Sequence, residues 1–181
     1  MVNIAILTSG NGHNVDNIYR YIKSRNLDDI NRHDSMNVKI VVSRNDNAYV
    51  INRCNRLGIS CVVTKDVGDV LRLNDIGFVV LLDNFKISDD IRNYYTDKIL
   101  VSSQISSTME DVDINDINNY KYMIKNKDKY VGVLFKCGDK IIYQVNYKIM
   151  DTDTPEILLN KVHSLERKWF PVILYSLICK L

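Results

Sequence analysis

Met1-Val2-Asn3-Ile4-Ala5-Ile6-Leu7-Thr8-Ser9-Gly10-Asn11-Gly12-His13-Asn14 is the stretch whose reading decides the fold. Residues 2–7 form a short apolar run of the buried-strand type. Glycines at 10 and 12 break it, and an amphipathic segment follows. Strand, glycine-rich turn and helix is the geometry in which free backbone N–H groups at a helix N-terminus face a phosphate. The glycines supply positive φ and close backbone approach, which a Cβ would obstruct. The plainer alternative is a turn that merely connects strand to helix and needs glycine anyway.

Working outward, residues 38–43 (VKIVVS) repeat the continuous apolar run. Ala48, Val50, Ile51, Cys54 and Leu57 then recur at helical spacing, and Gly58 supplies a stop. Residues 61–64 read as a third strand and 77–82 as a fourth. The crossover between them is too short for a long helix, so one flank of the sheet should be thin. Residues 88–95 read as a helix opened by Ser88, with Asp89 and Asp90 in its first turn. Residues 98–101 make the fifth strand. From 102 to 129 the pattern becomes polar and irregular, with a short helix expected over 114–124. The aspartates there lack the central glycine and terminal glutamate of an EF-hand loop. Residues 130–135 and 140–149 read as an antiparallel pair, and Asp153 or Thr154 caps a last helix with Pro155 in its first turn. This βα alternation implies an α/β fold with a doubly wound, mostly parallel sheet and an antiparallel C-terminal extension. Residues 1–181 form a single domain.

Hydrophobic residues at 46% and charged residues at 25% are ordinary globular values. A net charge of +2 is too even to imply nucleic acid or an anionic membrane. No apolar run approaches a membrane span of about 20 residues. A strand at the N-terminus argues against a signal peptide. Cys54, Cys61, Cys137 and Cys179 lack metal-ligand spacing, so reduced, buried thiols and a cytoplasmic location are expected. No metal and no cofactor are called for. The bias toward Asn, Ile, Asp, Lys and Tyr fits an AT-rich coding sequence, as in a large DNA virus, a parasite or a low-GC bacterium.

Three segments in order resemble the glycinamide ribonucleotide formyltransferase family. Ser9-Gly10-Asn11-Gly12-His13-Asn14 is similar to its S-G-x-G-S-N loop, with His13 where serine is usual. Val42-Ser43-Arg44-Asn45-Asp46-Asn47-Ala48, continuing to Gly58-Ile59, resembles its second strand and helix. The third runs from Asp153-Thr154-Pro155 through Val162-His163-Ser164-Leu165-Glu166 to Phe170-Pro171. It is similar to the family's T-x-x-x-L-x-x-R-V-H-x-x-E-H-x-x-Y-P helix. The resemblance implies a sheet of the formyltransferase type. It also implies phosphate binding by Gly10, Asn11, Gly12, His13 and Asn14, and ribose binding by His163 and Glu166. For the last pair, an exposed i,i+3 pair is the open alternative.

The same resemblance leaves the catalytic centre degenerate. Where the family has N-x-H-P-S-L-L-P, alignment puts Val101 at the asparagine and Ser103 at the histidine, and the Leu-Leu-Pro wall is absent. Leu134 replaces a further histidine, and Asp139 is the one doubtful candidate for the catalytic aspartate. Formyl transfer to an amine passes through a tetrahedral oxyanion. A missing oxyanion donor removes about 100- to 1,000-fold of rate, and general acid–base help is worth roughly 100- to 10,000-fold. The expectation is therefore a catalytically inactive, formyltransferase-like binding or scaffold protein, a pseudoenzyme with a residual phosphate or ribonucleotide pocket. The alternative is an active 10-formyltetrahydrofolate-dependent phosphoribosylglycinamide formyltransferase of purine biosynthesis with a rebuilt site. A third reading, a structural subunit, rests on the apolar tail from Trp169 to Leu181. That tail suggests a protein partner or a homodimer.

Overall fold

The structure, a computed structural model, describes residues 1–28 and 35–179. Five strands, β1 (Val2–Leu7), β2 (Met36–Ser43), β3 (Cys61–Val63), β4 (Phe78–Leu81) and β5 (Ile99–Ser106), lie parallel. β6 (Tyr130–Cys137) and β7 (Lys140–Lys148) extend the sheet antiparallel. The order is β3-β2-β1-β4-β5-β6-β7. The winding therefore reverses between β1 and β4, and a crevice opens beyond their C-terminal ends at the switch point.

Period-two alternation sends successive side chains to two cores. Ile4, Ile6, Val80 and Leu100 face α1 (His13–Asp28), α2 (Tyr49–Leu57), α5 (Ile117–Lys125) and α6 (Pro155–Ile178). Ala5, Leu7, Val79 and Leu81 face only α3 (Val67–Leu73) and α4 (Asp89–Tyr94) among the described helices. Two short helices cover that second face, so this flank is the thin one. Gly58 ends α2 in the left-handed conformation, donating its N–H to the carbonyl of Asn55.

One expectation changes. β5 does not stop at Val101 but continues to Ser106, because residues 102–106 pair in full with residues 131–135 of β6. Three of its polar side chains find partners within the protein instead of solvent: Ser102 on Glu166 of α6, Gln104 on Asn119 of α5, and Ser106 on Asp128 in the segment after α5. The described part of the apolar tail packs into the chain's own core. Phe170, Ile173, Leu174 and Ile178 are buried against the sheet, while Lys180 and Leu181 lie outside the described residues.

α6 is capped by Thr154, whose hydroxyl accepts from the Ile157 N–H at 3.3 Å. Leu158, Val162, Glu166, Phe170, Leu174 and Ile178 recur every four residues along its buried stripe, so a carboxylate sits in a row of hydrocarbon. Pro171 lies inside this helix and has no N–H for the carbonyl of Arg167. Asn17 Nδ2 of α1 donates to that carbonyl in its place.

Candidate functional site

The loop after β1 is held from two sides. A Cβ on Gly10 would lie 2.5 Å from the Asp83 carboxylate, which accepts a hydrogen bond from the Thr8 hydroxyl. Gly12 has φ +75°, and a Cβ there would meet Val50 Cγ2 at 2.6 Å. From α2, the Val50 N–H donates to the Gly10 carbonyl at 3.3 Å, and Arg53 Nε to the Asn11 carbonyl at 3.1 Å. Gly12 is thus required whatever the loop binds, while a side chain at Gly10 would have to push the Asp83 carboxylate aside.

Internal capping satisfies only part of the loop. Asn11 Oδ1 accepts from the His13 N–H at 3.0 Å, and the Gly12 carbonyl from the Asp16 N–H at 3.1 Å. The amides of Gly12, Asn14 and Val15 have no acceptor among the described residues. Unpaired donors at the start of a helix of 16 residues carry partial positive charge.

Glu166, only 4% exposed, stands opposite this loop. Its carboxylate accepts from Ser102 Oγ at 2.5 Å and from Asn14 Nδ2 at 3.0 Å, and His163 Nδ1 lies 3.6 Å away. An exposed surface pair is therefore not what these residues make. Asn14 Oδ1 is buried without a hydrogen-bond partner among the described residues. Loop and α6 enclose a cavity of about 280 Å³ at the switch point, with Leu82 and Asp83 of the β4 end on its wall. The predicted residues Asn11, Gly12, His13, Asn14, His163 and Glu166 all line it.

Sequence reading missed Asp83 and Arg167, which also line the cavity. Asp83 and Asn84 hold left-handed backbone, at φ 52° and 54°, with no glycine to announce the turn. The strand-order reversal, visible only in the fold, is what marks them. Arg167 Nε donates to the His163 carbonyl at 3.1 Å. Partial burial, then the charges of Arg53 and Arg167, push the His13 imidazole below its usual pKa.

The positions that the resemblance sets at the family's catalytic asparagine and histidine lie elsewhere. Val101 packs into the second core, and alternation puts Ser103 on the same face. Leu134 is the cross-strand neighbour of Ser103. The β5 residues on the face of Glu166 are Ser102 and Gln104, one position out of the alignment that placed Val101 and Ser103 at the site. Ser103 Oγ is buried without a well-formed hydrogen bond. Nearby, Lys136 and then the Ser103 hydroxyl hold the Asp111 carboxyl below its usual range. Asp139 cannot join the cavity. The Gly138 N–H donates to the Ile99 carbonyl at the start of β5, so its turn lies at the opposite end of the sheet. Among the described residues, no group of three His, Cys, Asp or Glu side chains could hold a metal ion, and no helix is long and apolar enough to cross a membrane.

The sequence matches no protein-family model and no curated protein. Solved structures do resemble it. Phosphoribosylglycinamide formyltransferase from Bacillus halodurans superposes with a TM-score of 0.80 at 22% identity, over 97% of this chain and 95% of that one. The enzyme of the same name from Anaplasma phagocytophilum gives 0.80 at 20%, over 99% and 87%. Formyltetrahydrofolate deformylase from Burkholderia mallei gives 0.80 at 15%, over 99% of this chain and 66% of that one. Identities this low speak for architecture alone, and the architecture is that of the formyltransferase fold.

Proposed function

We propose that this chain binds a phosphorylated, ribose-type ligand in the cavity between the residue 10–14 loop and α6, and that it transfers no formyl group. The carrying observation is the meeting of unpaired loop amides with buried Glu166 and His163 in one cavity. Amides at a helix N-terminus suit a phosphate, and a carboxylate beside an imidazole suits sugar hydroxyls. Supporting the second half, the β5 side chains facing this region are Ser102 and Gln104, both already hydrogen-bonded within the protein. Neither is a ready base at neutral pH. A role as a binding or scaffold protein follows from that combination.

One observation favours the alternative of a rebuilt, active formyltransferase: His13 and His163 both line the cavity. Purified protein incubated with 10-formyltetrahydrofolate and glycinamide ribonucleotide should show no formyl transfer. Calorimetry with ribose 5-phosphate should show millimolar or tighter binding. Turnover that is abolished by His13→Ala or His163→Ala would replace the proposal with the alternative. Absence of binding by ribose 5-phosphate, glycinamide ribonucleotide and sulfate would remove the ligand pocket.

A further inference from the structure

Next to the cavity lies a second, shallower depression of about 340 Å³ along the seam between α1 and α6. The two share His13 and Arg167, so they are adjoining compartments of one concave surface. The seam is pinned on either side, by Asn14 on Glu166 and by Asn17 on the Arg167 carbonyl. Its rim carries Arg20 from α1 and Lys168 from α6.

Three cations, Arg20, Arg167 and Lys168, face one carboxylate in this depression, that of Asp16. Asp16 is already shared, accepting from Arg20 Nε at 2.5 Å and from Arg53 Nη1 at 3.2 Å. The Arg20 side chain is 69% exposed, and Lys168 Nζ rests 5.4 Å over the Trp169 ring. Neither head group packs in the core. A ligand with one phosphoryl group on the loop amides would leave this positive compartment unused. Cations grouped around a concavity attract a polyanion and raise its local concentration, and guanidinium groups grip phosphoryl oxygens in pairs.

We propose that the depression is a second anion subsite, and that the ligand carries two phosphoryl groups. One would lie on the loop amides and the other between Arg20, Arg167 and Lys168. Arg167, lining both compartments, would touch both groups. This rests on the reading of the loop as a phosphate site and adds the ligand's charge and length to it.

The test is calorimetry with orthophosphate and pyrophosphate at low salt, on the whole chain. The expected result is pyrophosphate bound about tenfold tighter than orthophosphate, the size of one added charge-assisted contact. In the R20E/K168E variant that ratio should collapse to about one, because the exposed head groups that supply the contact have been reversed. A matched variant, K140E/K148E, places the same charge change on β7 and should keep the tenfold ratio. Circular dichroism melts check that both variants fold. Equal affinity for the two anions in the native protein would overturn the second subsite while leaving the loop site standing. Loss of the ratio in both variants would show only bulk electrostatics and overturn it as well. Failure of orthophosphate and ribose 5-phosphate to bind at all would instead remove the loop site beneath it.

Discussion

Two polar stretches lie at the C-terminal edge of the parallel sheet, the residue 10–14 loop and residues 102–106 of β5, and they differ in what their polar groups do. In β5, Ser102, Gln104 and Ser106 each meet a partner inside the protein. In the loop, the amides of Gly12 and Asn14 and the Asn14 Oδ1 have no partner among the described residues, and they border a cavity. A buried polar group that is satisfied internally holds the fold together, whereas one left open is expensive unless something else fills it. Polarity alone does not mark a site. Polarity without partners, bordering a cavity, does, whereas the unpartnered Ser103 Oγ on the other face of β5 does not.

The comparison breaks most visibly at Gly12. Gly12→Val puts a β-branched residue at positive φ and its Cβ against Val50. It should destabilise the protein by about 3 kcal/mol, combining left-handed strain with overpacking, and abolish ligand binding. Urea denaturation and calorimetry read both, and an unchanged midpoint would mean that the loop is not clamped on α2.

Next comes Glu166 set against Ser103. Glu166→Ala strands Ser102 and Asn14 in a buried setting and should lower stability by about 2–3 kcal/mol, with Glu166→Gln recovering part of it. Ser103→Ala removes a hydroxyl that has no well-formed bond, so it should change stability by less than about 0.5 kcal/mol. Equal losses in the two variants would erase the distinction between used and unused polar groups.

Asp83 offers a smaller effect of opposite sign. Its carboxylate abuts Gly10 and repels any anion on the loop. Asp83→Asn keeps an acceptor for Thr8 and should raise phosphate affinity by about tenfold at low salt, an effect that screening diminishes. Weaker binding in this variant would mean that the carboxylate holds the ligand or the loop in place.

The smallest effect belongs to His13. Its pKa in the folded protein lies below its ordinary 6.5, so the folded state binds fewer protons than the unfolded chain near that pH. Stability is therefore complete above pH 6.5, falls slightly as the pH drops towards the lowered value, and is constant below it. A phosphate in the cavity opposes this shift. Binding below about pH 6.5 should take up a fraction of a proton, read by calorimetry in two buffers of different ionisation enthalpy. In His13→Gln that uptake should shrink by the share His13 carries.

Much of this architecture was legible in the sequence because its signals were local. The apolar runs of β1 and β2, Gly58 at the end of α2 and the Thr154-Pro155 start of α6 announce themselves within a few residues. β5 was legible only in its first half. Its second half is polar, and the partners that make a polar strand acceptable lie up to 64 residues away at Glu166. A strand exposes opposite faces at successive residues, and here Ser102 and Gln104 share the face of Glu166 while Val101 and Ser103 lie on the other. Asp83 was hidden because two non-glycine residues adopt the left-handed turn. His163 and Glu166 were found through the resemblance of one helix to the formyltransferase family's, while Arg167 became visible only with α1 beside it.

Pro171 has a consequence beyond its own helix. A proline ring crowds the carbonyl four residues earlier and cannot reward it with a hydrogen bond. The Arg167 carbonyl is thus made available to the Asn17 amide of α1. The proline works as a dowel, fixing how far one helix can slide along its neighbour. α1 carries Asn14 and α6 carries Glu166, so a slide by one residue, about 1.5 Å of helical rise, would part that pair and widen the cavity between them. Pro171 lines neither compartment, yet the distance across the pocket is set where it removes one rung from a helix.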